Sequence, residues 1–273
     1  MAKIITIYCE GKRGSHDFDI LDKVIGDIVI IKPIGGKRGA NAIIEYTENN
    51  GVMTSDFYLF FRDRDFDCGV PAKEELYFDG KKTYYSYRTT IENYLFDISL
   101  FFKFIEKEKM ESKYNINSEN DVKNIFIEVA KELKCYQAVR HALGKLRFSN
   151  TFNTTWVKDG SGHLPSKLDL THCQKNGWTL IQDVVSKNNE EWTESNFKSK
   201  LDEFLELFDD VFFTKLNFLI YYQGKDFAKA LINKLSHFPL KDYYKFAKEH
   251  FDYKKFTDLV ELRRIVEKET TEK

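Results

Sequence analysis

The chain has 273 residues, 42% of them hydrophobic and 31% charged, with only 4 prolines and 14 glycines. That size and balance fit one large globular domain or two smaller ones and exclude a low-complexity or disordered chain. A net charge of -1 excludes a globally basic nucleic-acid binder, and no apolar run approaches the roughly 20 residues that cross a bilayer.

The N-terminal "MAKIITIYCEG" is a short strand pattern without the apolar core and cleavage site of a secretory signal. "KIITIYC" (3–9) reads as a strand closed by Glu10-Gly11. "SHDFDILDKVIG" (15–26) reads as a helix. Ser15 is its N-cap, Gly26 its stop, and Asp17 and Asp19 sit in the first turn, where the macrodipole favours acids. "DIVIIKPI" (27–34) is a second strand, and "GGKRGANAIIEYTENNG" (35–51) a loop and then a helix. "SDFYLFFRD" (55–63) is a third strand, and "KTYYSYRTTIENYLFD" (82–97) a short strand running into a helix near Thr90. Such alternation predicts an α/β fold with a mostly parallel, Rossmann-like sheet covered by helices on both faces.

From Ile98 to Asp210 helical stripes dominate. They include 121–146 and 194–210, where Phe197, Leu201, Phe204 and Phe208 share a face. Between them lies an irregular segment, 147–178. The expected organisation is a core formed by 1–97 and 211–273, interrupted by a mainly helical insertion over 98–210. The alternative is two independent domains split near residue 98.

Charge is unevenly spread. Residues 1–100 carry 13 basic and 16 acidic side chains, 131–175 carry 8 and 3, and 176–210 carry 3 and 9. A basic stretch of net +5 beside an acidic one of net -6 either steers a phosphate backbone or is an ordinary solvated surface. Trp156 and Trp178 lie among Lys158, Lys167 and Lys175, with Phe148, Phe152 and Arg147 nearby. Aromatics interleaved with cations can stack bases, although packing in the core explains most aromatics equally well. The cysteines at 9, 68, 135 and 173 form no CxxC pair, and the six histidines show no metal-ligand spacing. A reduced, cytoplasmic protein without membrane association is expected.

Carboxylates carry the chemical signal. Glu10 follows the first strand. Asp63 and Asp65 follow the third, in "LFFRDRDFD" (59–67). In open α/β sheets the working edge lies at the C-terminal ends of the strands. In extended backbone, residues i and i+2 face one side, so the two aspartates could share an ion. Oxygen-only donors suit Mg²⁺ or Mn²⁺. A solvated turn is the plain alternative. Asp67 either supports the pair or caps the turn that follows, and Asp17 can reach the same rim. "GGKRG" (35–39) is basic and flexible but lacks the P-loop spacing. Lys12, Lys37, Arg38 and Arg88 are the candidates to meet nucleic acid, and a salt bridge ahead of Glu92 is an equal reading of Arg88. "QGKD" (223–226) also reads as a turn with Asp226 as helix cap.

"IYCEGKRGSHDFDILDKVI" followed by "YLFFRDRDFD" resembles the TOPRIM fold of topoisomerases, primases and OLD-family nucleases. "TIENYLFD" (90–97) and "YYQGKDFAKAL" (221–231) resemble motifs of a TOPRIM-like family of bacterial defence nucleases, the group that includes the nuclease subunit of the PARIS anti-phage system. The likeness covers roughly 1–97 and 216–235. It implies Mg²⁺, with Mn²⁺ as a substitute, held by Glu10, Asp63 and Asp65. It implies Glu92 as a further ligand or base, and Lys225 as a contact to the scissile phosphate or the departing oxyanion. It further implies a toxic effector that cleaves RNA, such as tRNA, or DNA under the control of a partner ATPase, with a homodimer left open. Two other readings stand beside it. One is a HAD-like phosphatase with Asp63 as nucleophile, and the other a TOPRIM-like interaction module without catalysis.

Overall fold

A computed structural model describes residues 5–36, 39, 42–43, 57–66, 68–80, 82–147, 154–157, 163–184 and 192–271. The chain divides into two compact units. The first comprises Met1–Arg64, Val70–Leu95 and Tyr244–Lys273, and the second Asp65–Gly69 and Phe96–Tyr243.

The first unit is α/β. Strand β1 (Ile5–Cys9) leads through a turn into helix α1 (His16–Ile25), and the chain returns as β2 (Ile30–Pro33). Strands β3 (Phe57–Arg62), β4 (Tyr77–Phe78) and β5 (Thr83–Tyr85) follow. The sheet order is β2-β1-β3-β5-β4. β1 runs parallel to both β2 and β3, β3 parallel to β5, and only the edge strand β4 is antiparallel. The expected mostly parallel sheet is therefore present. Its two central strands carry the apolar runs, because such strands are buried on both faces. Ile7, Cys9, Leu59, Phe60 and Phe61 are all buried, and Tyr8 stacks on Phe60 with ring centroids 5.1 Å apart.

The capping chemistry of α1 is as its sequence predicts. The Ser15 hydroxyl accepts the Phe18 N–H at 3.4 Å, and the Gly26 N–H closes on the Asp22 carbonyl. A Cβ at Gly11 would stand 2.0 Å from the Ser15 Oγ, so only glycine lets the β1 turn close on that cap. β2 starts at Ile30, three residues later than expected. The Ile28 and Val29 N–H groups both turn back to the Ile25 carbonyl before the strand begins. The stretch expected to be helical near Thr90 is a 3₁₀ turn, Ile91–Leu95, with every residue buried. The helix expected within 35–51 lies almost wholly outside the described residues.

Every regular element described between residues 96 and 239 is helical. These are α2 (Ile98–Lys107), α3 (Glu111–Tyr114), α4 (Glu119–Lys145), α5 (Leu170–Gln182), α6 (Glu194–Leu207), α7 (Asp210–Thr214), α8 (Phe218–Tyr221) and α9 (Gly224–Lys234). α4 is the hub, with α2, α5, α6, α7 and α9 packed on it. Phe197, Leu201, Phe204 and Phe208 are buried, as their spacing predicts. Trp178 stacks on Phe197, so it serves packing.

The helical unit begins at Phe96 and extends to Tyr243. It includes α9, whose Phe227 packs edge-to-face on Phe96 and Phe126 at 5.0 and 5.3 Å. Helices α10 (Leu240–Glu249), within which the boundary falls, and α11 (Thr257–Thr271) complete the chain.

Candidate carboxylate edge

Glu10 is the first residue beyond β1. The register pairs Cys9 with Phe61, which sets Glu10 beside Arg62, the last residue of β3. The Arg62 Nε donates to Glu10 Oε1 at 2.5 Å, with the two side chains only 10% and 15% exposed. Arg62 also lies over the Tyr85 ring, 5.6 Å from its centroid.

Asp63 comes next. Its Oδ1 accepts the Ile91 N–H at 2.9 Å and so caps the 3₁₀ turn from outside. Arg64 is fully buried. Its N–H donates to the Ser86 hydroxyl, its Nε to the Tyr87 carbonyl at 3.1 Å and its Nη2 to the Thr89 hydroxyl at 2.9 Å. The "DRD" stretch is therefore clamped to the 86–91 loop through both Asp63 and Arg64.

Asp65 departs from the expected geometry. Its φ of 47° puts it in the left-handed region, and β3 ends at Arg62, so the extended i, i+2 alternation does not run through it. The boundary between the units passes between Arg64 and Asp65. Within the second unit, burial works against the charge on Arg140. Asp226, Tyr136 and Asp65 outweigh burial and hold the guanidinium above its ordinary pKa. Asp67, Lys37 and Arg38 lie outside the described residues.

Two more carboxylates belong to the first unit's edge. Asp17, in the first turn of α1, folds back on the Glu10-Gly11 turn: its Cγ is 3.1 Å from where a Gly11 Cβ would be. Burial first, and the Asp17 charge next, push the Cys9 thiol up to about 12. Glu92 is buried in the 3₁₀ turn, one residue after the N–H that Asp63 holds. Burial and the nearby Glu92 charge push the Tyr244 hydroxyl upward, and His16 packs on the Tyr244 ring at 4.4 Å.

Arg88 braces the 3₁₀ turn. Its Nη1 donates to the Asn93 carbonyl at 2.6 Å, and its guanidinium lies 5.1 and 4.9 Å from the Tyr94 and Phe256 ring centroids. The same strut includes buried Asp258, which accepts from the Tyr94 hydroxyl and from the Tyr87 N–H at 2.9 Å. Lys12 is exposed in the turn after β1.

Lys225 is exposed in the first turn of α9, in the second unit. Its neighbour Asp226 is not the helix cap, which is Gln223. The Asp226 carboxylate is buried and accepts from Gln137 Nε2 at 2.9 Å and from Arg140. Arg140 also donates to the Gln223 side-chain carbonyl, so the "QGKD" stretch is anchored to α4.

Carboxylate oxygens are the donor type that Mg²⁺ and Mn²⁺ prefer. Among the described residues, no three His, Cys, Asp or Glu side chains form a ready-made group for a metal. Glu10 Oε1 accepts from Arg62, and Asp63 Oδ1 accepts from the Ile91 N–H.

No protein-family model matches this chain, and no curated protein matches it. Among the described residues, no helix is long and apolar enough to cross a membrane. Arg62 and Arg64 were not singled out by sequence reasoning. Only the pairing of β1 with β3, and of β3 with β5, gives these arginines their partners.

Proposed function

We propose that the chain is a divalent-metal-dependent phosphodiesterase of TOPRIM-like type acting on nucleic acid, with the carboxylate edge of the first unit as its centre. One observation carries the reading. Glu10 and Asp63 stand at the C-terminal ends of adjacent parallel strands, with Asp17 folded onto the same turn. That is the edge at which open α/β sheets do their work.

On this reading Glu10 and Asp63 hold the ion. The chemistry that Mg²⁺ or Mn²⁺ supplies is neutralisation of a phosphate and a lowered pKa for bound water. Glu10 would hold the ion through its carboxylate, and the Arg62 guanidinium beside it would bind phosphate oxygens in its forked geometry. The Ile91 N–H keeps Asp63 oriented, so the carboxylate needs no reorganisation on binding. Glu92 takes the proton of the attacking water. Asp65 and Lys225 keep the roles that the resemblance implies and are tested by substitution. The likeness of "TIENYLFD" and "YYQGKDFAKAL" extends the reading to an anti-phage effector held in check by a partner ATPase.

The test is cleavage of labelled tRNA and of single- and double-stranded DNA with Mg²⁺ or Mn²⁺, comparing wild type with Glu10→Ala and Asp63→Ala. The expected result is wild-type cleavage that falls at least about 100-fold in both variants, together with loss of metal-induced thermal stabilisation. No wild-type cleavage and no metal-induced stabilisation would overturn the reading.

A further inference from the structure

A concavity of about 580 Å³ lies wholly within the second unit, lined by residues including Trp156, Leu164, Lys167, His172 and Asn176. Its volume is within the range of small-ligand sites. We propose that it binds one unpaired nucleotide of a nucleic acid strand, with the base stacked on Trp156 and a phosphate paired with Lys167. The proposal deepens the nuclease reading by naming single-stranded nucleic acid as the substrate class, and in that respect rests on it.

Four features carry it. Trp156 is a half-exposed indole held edge-on by the Tyr136 ring at 5.1 Å, and Tyr136 is itself tied to the Thr155 hydroxyl at 2.7 Å. The indole is therefore pre-positioned, and its N–H has no hydrogen-bond partner among the described residues. Lys167 is exposed and has no acidic partner among the described residues. His172 lines the concavity and is held by Asp169, with Nδ1 3.3 Å from the carboxylate. Asn176 spends its amide N–H on the His172 carbonyl at 2.8 Å, and its own carbonyl oxygen is available to accept from a base edge.

Each feature alone is ordinary, but together they select among ligands. A bare anion would use Lys167 and His172 but gain nothing from the indole. An acyl chain would use Trp156 and Leu164 but leave the polar groups unpaired. An acidic peptide offers charge without a flat ring. A nucleotide supplies a π face, a hydrogen-bonding edge and a phosphate in one residue. The concavity also lies in the part of the sequence with a net charge of +5 over residues 131–175.

The experiment measures binding of labelled oligo(U) and oligo(dT) by fluorescence anisotropy. The protein is the full-length chain carrying Glu10→Ala, so that cleavage does not interfere. Adding Trp156→Ala is expected to weaken binding by about 10- to 100-fold. Adding Lys167→Glu is expected to weaken it several-fold and to lower the salt slope by about 1. Lys167 is exposed, so that variant tests the site even if Trp156→Ala disturbs the fold. Tighter binding of one oligomer tells RNA from DNA.

Unchanged affinity in both variants, or no oligonucleotide binding at all, overturns the proposal. So does oligoglutamate competing as well as the oligonucleotide, since the concavity would then be an anion site only. Wild-type cleavage together with unchanged binding by the two variants rejects this site and spares the nuclease reading. Trp156-dependent binding without any wild-type cleavage does the reverse.

Discussion

Arg62 and Glu10 close a 2.5 Å charge-assisted hydrogen bond across the ends of two adjacent parallel strands, and both side chains are nearly buried. The guanidinium thus neutralises, from within the chain, the carboxylate proposed to hold an ion. Arg62→Gln removes that internal cation. Loss of a hydrogen bond between charged groups costs about 1–3 kcal/mol, so the variant melts earlier than wild type without metal. Added Mn²⁺ no longer competes with an arginine for Glu10, so the metal-induced rise in Tm is larger in Arg62→Gln than in wild type. Thermal melts of both proteins over a Mn²⁺ titration check this. Equal shifts would mean that the ion, if bound, does not use Glu10.

The parts that were legible in the sequence are those set by local chemistry. Ser15, Asp17, Asp19 and Gly26 announce α1, and "IITIYC" and "FYLFF" announce two strands buried on both faces. Glu10 and Asp63 were legible because each directly follows such a strand. What stayed hidden depends on neighbours distant in sequence. That Arg62 meets Glu10 requires knowing that β1 and β3 are adjacent. That Asp65 breaks the extended alternation depends on a left-handed backbone that the sequence does not announce. That α9 packs with the helices before it depends on side chains of α4 more than 80 residues earlier.

Gly144 sits inside α4, where glycine is normally unfavourable by about 1 kcal/mol relative to alanine. A Cβ there would stand 2.4 Å from the Phe66 carbonyl oxygen, a backbone atom that cannot easily yield. Phe66 is also held by the Arg140 guanidinium, 4.5 Å from its ring, and by the His141 ring at 4.9 Å. Gly144→Ala therefore destabilises despite its better helix propensity, by about 1–2 kcal/mol net of overpacking. Urea denaturation measures it. A stabilised variant would show that α4 does not approach Phe66 so closely.

Asp258 gives a pH signature. Burial lifts its carboxyl above the ordinary 3.8, while hydrogen bonds from Tyr94 and the Tyr87 N–H pull it part of the way back. The folded state therefore holds this proton more tightly than the unfolded state. That stabilising contribution is complete below about pH 4 and is lost as pH rises through the raised folded pKa. Asp258→Asn keeps an acceptor for Tyr94 and Tyr87 but does not titrate. The stability of wild type relative to Asp258→Asn should be highest at acid pH and decline toward neutrality. A difference that stays flat or grows with pH, in melts from pH 3.5 to 7, would contradict the raised pKa.

Asp226 and Lys225 are adjacent in sequence but have different roles, and substitution separates them. Asp226 is buried against Arg140 and Gln137, so Asp226→Ala takes from a buried guanidinium its ion-paired carboxylate. The expected loss is about 3–5 kcal/mol, well beyond the roughly 1 kcal/mol of a helix cap. Lys225 is exposed. Lys225→Ala should change stability by no more than about 0.5 kcal/mol, yet lower the rate of phosphodiester cleavage if it contacts the phosphate. Urea denaturation and single-turnover cleavage of the two variants give four numbers. A cap-sized loss for Asp226→Ala would reject the buried pair. An unaltered rate for Lys225→Ala, in an otherwise active enzyme, would assign this lysine to the solvated surface and leave the carboxylate edge to work without it.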